Sequence, residues 1–190
     1  MPPRPKVTRE DIVRIALDIV RESGETALNA RAIASRLGCS TQPIFSNFSS
    51  MEELCDEVID AAYELYWSFL ENEVQSEKYP KYKAFGMAYI RFSREERELF
   101  KLLFMRDRTG EDISPSADFE EAVRMIMTAN GTTREKASLI HLELWTCVHG
   151  IAVMIATSFL SLDTDLISGI LSDVYLGVRA KHLAESQGEC

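Results

Sequence analysis

The sequence predicts an all-α protein, and three observations carry that prediction. Leu, Ile, Ala, Glu and Arg are abundant, while only 9 glycines and 6 prolines interrupt 190 residues, a balance that favours helix. Apolar residues recur at helical spacing, and no alternating β-branched run bounded by turn residues stands out. Helix-start signals of the Ser/Thr-x-x-Asp/Glu type precede several of the periodic stretches. With 46% hydrophobic residues, the chain can bury a sizeable core.

The elements follow in order. Residues 1–7 are basic and Pro-rich and are expected to form an arm. Thr8-x-x-Asp11 opens a first helix with Ile12, Ile15, Ala16, Ile19 and Val20 on one face, and Gly24 ends it. Asn29 is a good N-cap for a second helix, whose buried face is Ala30, Ile33, Ala34 and Leu37 and whose turn is Gly38. Ser40 is expected to cap a third helix from Thr41 to about Asn47, with Pro43 in its first turn. Ser50-x-x-Glu53 reads as a capping box for a fourth helix ending near Glu77, before Tyr79-Pro80. Helices are expected at about 81–93 and 94–106, the second opened by Ser93-x-x-Glu96. A polar loop at 107–114, a helix from Ser114-Pro115 to about Ala129, one from Thr132 to about Leu160, and a last one from Asp163 to Glu185 complete the chain.

Bulk properties remove several function classes. The four cysteines, Cys39, Cys55, Cys147 and Cys190, form no C-x-x-C pair and fit a reducing cytoplasm. Nothing resembles a signal peptide, and the longest apolar segment, 148–156, is about half of a bilayer span. No phosphate-cradling glycine loop, Gly-x-Ser-x-Gly or dinucleotide fingerprint occurs, so an enzyme is not expected. His141 and His149 have no obvious third ligand, so neither a metal nor another cofactor is expected. The net charge is -9, but its distribution is uneven. Residues 1–50 hold seven basic and five acidic side chains (+2), and the rest holds 14 and 25 (-11). Only the head could dock on DNA; the body would be repelled.

Residues 29–54 are the informative stretch. Two short helices joined by a tight Gly turn let the second protrude into a major groove. Ile33 and Ala34 pack the first helix across it, and Ile44 and Phe48 anchor the second. Ser40, Thr41, Gln42, Phe45, Ser46 and Asn47 are then left facing solvent, mostly short hydrogen-bonding groups suited to phosphates and base edges. Gln42 could read adenine, and Thr41 could touch a thymine methyl or a phosphate.

This segment resembles the DNA-binding domain of the TetR (AcrR-type) regulators. The resemblance rests on Ile33-Ala34, Gly38, Cys39, Ser40, Phe45, Phe48, Ser50 and the first-helix pattern ending at Gly24. It implies DNA contacts at Arg4, Lys6, Asn29, Arg31, Ser40, Thr41, Gln42, Pro43, Phe45 and Asn47. Two positions depart from the family pattern: Phe45 stands where Tyr is usual, and Met51 where Lys is usual. Both usual residues contact phosphate; Phe45 lacks the hydroxyl and Met51 lacks the charge.

The resemblance further implies that residues 1–50 bind DNA and that residues 51–190 bind a small effector and form a homodimer. The helix over about 133–160 is apolar nearly all round, as in one buried on both sides. One face carries Ile140, Leu144, Cys147 and Ile151; the other carries Ser138, Leu142, Trp145, His149, Ala152, Val153 and Ala156. One of the two would meet a partner subunit, joined by Leu166, Ile170, Val174, Leu176 or Gly177, and Val178. Trp145, His149 and Gly150 also resemble the Trp…His-Gly signature of one C-terminal subtype. Phe104, Met125, Leu142, Trp145, His149 and Val153 are the expected effector contacts, although Met and aromatic residues at helical spacing also suit plain core. The reading is therefore a cytoplasmic transcriptional repressor released from a pseudo-palindromic operator by a small effector. The alternative is a helical ligand-binding or scaffolding bundle with weak or lost DNA binding.

Overall fold

In a computed structural model, residues 7–107, 109 and 117–184 are described. They form α1 (Arg9–Ser23), a 3-10 turn (Glu25–Ala27), α2 (Ala30–Leu37), α3 (Gln42–Asn47), α4 (Met51–Gln75) and α5 (Lys81–Glu95). Then come α6 (Arg97–Phe104), α7 (Ala117–Asn130), α8 (Arg134–Ala156) and α9 (Thr164–Ala184). No strand occurs among the described residues.

Most helix starts follow their sequence signals. The Thr8 hydroxyl accepts from the Asp11 N–H at 3.1 Å, and the Asp11 carboxylate accepts from the Thr8 N–H at 3.3 Å, a complete capping box. Asn29 caps α2 through Ala32 N–H at 3.0 Å. The Ser50 hydroxyl accepts from Glu53 N–H at 3.1 Å. The reciprocal arm falls one residue earlier than the pattern predicts, because Glu53 accepts from the Ser49 N–H and hydroxyl at 2.7 and 2.6 Å.

Three signals were misleading. Ser40 does not cap α3; Thr41 takes the N-cap position in helical geometry and makes no side-chain cap bond. Ser93 does not start α6; it lies inside α5, fully buried, with its hydroxyl donating to the Ile90 carbonyl at 2.8 Å. A buried Ser turned onto its own helix satisfies itself, so the Ser-x-x-Glu spacing there carries no cap. The α8 cap is Thr133 rather than Thr132, and α8 stops at Ala156, where Thr157 and the left-handed Ser158 (φ 59) turn the chain. The expected helix start at Ser114-Pro115 lies outside the described residues.

The chain divides into two compact units: Met1–Trp67 with Glu95–Arg106, and Ser68–Arg94 with Asp107–Cys190. The first unit extends past residue 50 because α6 packs on α1 and the opening turns of α4 bury Leu54, Val58 and Ala62. Its core also holds Ile12, Ala16, Ile33, Ile44, Phe48 and Leu99. Arg21 of α1 makes a two-point ion pair with the buried Glu96. In the second unit Val123, Ile126, Ala137, Ile140 and Leu144 form a buried cluster, with Tyr82, Phe119, Val174 and Tyr175 packed against it. Gly86 of α5 lies close beneath Val148 and Leu171, where an added Cβ would sit 3.2 and 3.3 Å from their methyls.

Gly24 closes α1 at φ 80, ψ 168, with its N–H bonded to the Val20 carbonyl at 2.8 Å. That region of backbone space is essentially reserved for glycine. A Cβ there would also meet Glu98 Oε2 at 3.1 Å. Gly24→Ala is expected to destabilise the chain by roughly 1–3 kcal/mol, read as a lower thermal midpoint by circular dichroism.

Candidate nucleic-acid interface

Helix α3 has six residues, too few to be stable alone. Its inner side is held by Ile44, fully buried, and by Phe48 at its C-cap, 2% exposed. Gly38, in the left-handed region at φ 64, reverses the chain between α2 and α3. Ser40, Gln42, Phe45 and Ser46 are left exposed, and Thr41, Pro43 and Asn47 half-buried.

The hydrogen bonds divide this surface. The Ser46 hydroxyl donates to the Gln42 carbonyl at 2.9 Å, and the Asn47 amide to the Pro43 carbonyl at 2.7 Å. Both side chains are committed to their own helix. Asn29 likewise uses its amide oxygen on Ala32 and its amide nitrogen on the Ala27 carbonyl at 3.1 Å. Gln42 makes no side-chain hydrogen bond among the described residues, so its amide is available. The Phe45 ring is 54% exposed beside it and offers only apolar contact.

The basic side chains are less available than their number suggests. Arg4 and Lys6 lie outside the described residues. Arg14 pairs with Asp11 at 3.0 Å, Arg36 with Glu22, Arg21 with Glu96, and Arg9 with Glu53 and Glu57. Among the described residues of the first 50, Arg31 alone among the basic side chains makes no ion pair. Glu53 titrates far below its ordinary value of 4.5, at about 2, because it accepts from Ser49 and then from Arg9. The sequence reading missed Arg9. Its only sequence signal was the Glu53/Glu57 pair, four apart and so on one face of α4.

The expected effector contacts are divided between the two units. Phe104 belongs to the first unit, where it packs edge-on against Tyr66 with centroids 5.2 Å apart. Met125 is half-buried on α7. Leu142 and Trp145 are 53% and 42% exposed, with Val153 on the same side of α8. The packed side of α8 is instead Ala137, Ile140, Leu144, Ile151 and Ile155. At about 100° per residue, the residues expected to wall a cavity form a surface stripe. His149 stacks on Trp145 (centroids 4.8 Å, 15°) and meets the hydroxyl of the buried Tyr89 through Nδ1 at 2.8 Å. Burial lowers its pKa, so the imidazole is neutral near pH 7. His141 meets the Tyr82 hydroxyl at 3.0 Å. The two histidines thus have separate tyrosine partners, and no metal-holding group of three His, Cys, Asp or Glu occurs among the described residues.

Helix α8, with 23 residues, is long and apolar enough to cross a membrane by length and composition. The sequence reading counted only 148–156 as the longest apolar segment, about half of a bilayer span. In the structure α8 packs against α7 and α9.

Residues 82–168 match the family model of the tetracyclin repressor-like C-terminal domain. The match covers just under half of the 190 residues. The match does not name the Trp…His-Gly subtype. A protein of unknown function from Rhodococcus sp. RHA1 has a similar structure, with TM-score 0.76, 21% identity, and 93% of this chain and 98% of that one covered. A TetR-like transcriptional regulator from the same organism aligns over 100% of both chains, with TM-score 0.61 and 14% identity. At these identities the likeness is one of fold. No curated protein matches the sequence significantly.

Arg31→Ala is expected to reduce the dependence of log affinity on log salt by about 0.9, the value of one phosphate contact. Fluorescence anisotropy on a duplex across a salt series measures it. An unchanged slope places Arg31 away from phosphate.

Proposed function

We propose that the chain is a homodimeric repressor whose two α3 helices enter successive major grooves of a pseudo-palindromic operator, and that a small effector releases it. The observation that carries this reading is the exposed face of α3, where Gln42 has a free amide on a helix whose inner side is fully anchored. An unpaired Gln amide matches the adenine N6/N7 edge. Ser40 and Thr41 stand at the N-terminal end of the same helix, where backbone N–H groups favour phosphate. Arg31 and Pro43 flank the surface, and the basic arm with Arg4 and Lys6 would reach further along the duplex. Asn29 and Asn47 are retained as backbone-positioning residues, since their side chains are committed within the head. The Tyr hydroxyl is missing at Phe45 and the Lys charge at Met51, so binding is weaker or less dependent on salt than in a member with both.

Dimerisation fits the outer side of α8 and α9. Leu139, Leu142 and Trp145 on α8, and Leu166 and Leu176 on α9, are each 42–58% exposed. Gly150, Gly169 and Gly177 have open space where a Cβ would be, which allows close approach of a second pair of helices. An α8 that is apolar all round is what such a seam requires. Leu142, Trp145 and Val153 therefore belong to the seam, and Met125 and His149 are retained as effector contacts. Effector binding would favour a dimer geometry that holds DNA poorly, a population shift between two states. The site of action is the cytoplasm.

A duplex enriched from a random pool by the full chain, compared with a scrambled one in a salt series, tests the regulator reading. Tight, sequence-dependent binding that weakens with salt is expected. Gln42→Ala should lose roughly 1–3 kcal/mol on the enriched duplex only. Equal, weak binding to both duplexes favours the alternative, a ligand-binding bundle without DNA recognition. Leu142→Asp combined with Leu176→Asp should convert the dimer to monomer in sedimentation velocity; an unchanged mass excludes this seam.

A further inference from the structure

Arg9, the first residue of α1, touches three parts of the head at once. Its Nε donates to Glu57 Oε1 at 2.8 Å, and its Nη2 donates to Glu53 Oε1 at 2.7 Å and again to Glu57. Its Nη1 donates to the carbonyl of Asn47, the last residue of α3. The flat face of the guanidinium lies 4.0 Å from the centroid of the Phe48 ring. Every nitrogen of the group is engaged, and burial of Phe48 fixes the ring it stacks on.

This set of contacts has a specific mechanical meaning. The last carbonyls of a helix lack partners within it, and a cation there also complements the helix dipole. With no side-chain cap at its start and six residues of length, α3 takes its direction from what holds its other end. That end is held to the starts of α1 and α4 by one side chain. Only a planar, five-donor group can bond two carboxylates and a carbonyl while stacking on a ring; an ammonium cannot. Four of its five N–H groups are spent in these bonds, which leaves one Nη1 hydrogen for any other partner while the clamp is closed.

We propose that Arg9 is a positioning residue of the DNA-reading surface, setting the angle of α3 without itself touching DNA. The proposal rests on the reading that α3 docks on DNA. It separates Arg9 from a phosphate-binding arginine, which its place on a basic head would otherwise suggest.

The test uses the full chain, the duplex that the wild type enriches, and its scrambled counterpart, in a salt series. Arg9→Gln is expected to lose tenfold or more on the enriched duplex and no more than twofold on the scrambled one, with the salt slope unchanged. Arg9→Lys, which keeps the charge, should recover only part of the loss. A slope reduced by about 0.9 would show a phosphate contact and overturn the proposal. Parallel losses on both duplexes, or no loss, overturn it equally. Recovery in the double variant Arg9→Gln with Glu57→Gln would assign the effect to unpaired charge instead of geometry, with the same consequence. Circular dichroism checks each variant. If Arg9→Gln does not fold at the assay temperature, Glu57→Gln alone, which weakens one arm of the clamp, should lose several-fold on the enriched duplex only. A Glu57→Gln variant that discriminates as the wild type does overturns the proposal. A wild type that enriches no duplex overturns the regulator reading itself, and this role with it.

Discussion

A helix of six residues cannot hold itself, and the first unit of this protein is organised around that constraint. Isolated helices need about twelve to fifteen residues to be even marginal in water. α3 is therefore a product of its surroundings: Gly38 turns the chain into it, Ile44 and Phe48 pin its inner side, and Arg9 ties down its last carbonyl. Gln42 and Phe45 stay exposed because they lie away from the side of α3 that carries Ile44 and Phe48.

The same logic explains which parts of the fold could be read from sequence. Local signals performed well where the side chain and its target are three residues apart, as at Thr8, Asn29 and Ser50. Ser93 shows the limit. It has the spacing of a cap, yet it is buried inside α5 and bonds the Ile90 carbonyl; burial is decided by the packing of the unit. Arg9 was invisible for a related reason. Its partners lie 38 to 48 residues away, and no pattern in one sequence links residues so far apart. The candidate DNA face was legible because it rests on one short motif.

The second unit was harder. Helix α8 is apolar on every side, so periodicity gave two faces without saying which was inward. The structure turns Ala137, Ile140, Leu144, Ile151 and Ile155 to the core and Leu139, Leu142 and Trp145 outward. Residues that look like a ligand wall by composition become a surface stripe by rotation of the helix. His149 shows how small the margin is, since it shares that stripe yet has its Nδ1 on Tyr89.

The internal pairing of Arg9, Arg14, Arg21 and Arg36 also bears on kinetics. Sliding along a duplex depends on a protein lingering on arbitrary sequence, and lingering is purchased with unpaired cations. If the head docks on DNA as proposed, a head whose guanidinium groups are already paired with its own carboxylates, in a chain whose remainder carries charge -11, would leave wrong sites quickly. A regulator of the proposed kind would sample the genome by many brief landings, its search governed by how often it collides with the operator, with little contribution from one-dimensional travel.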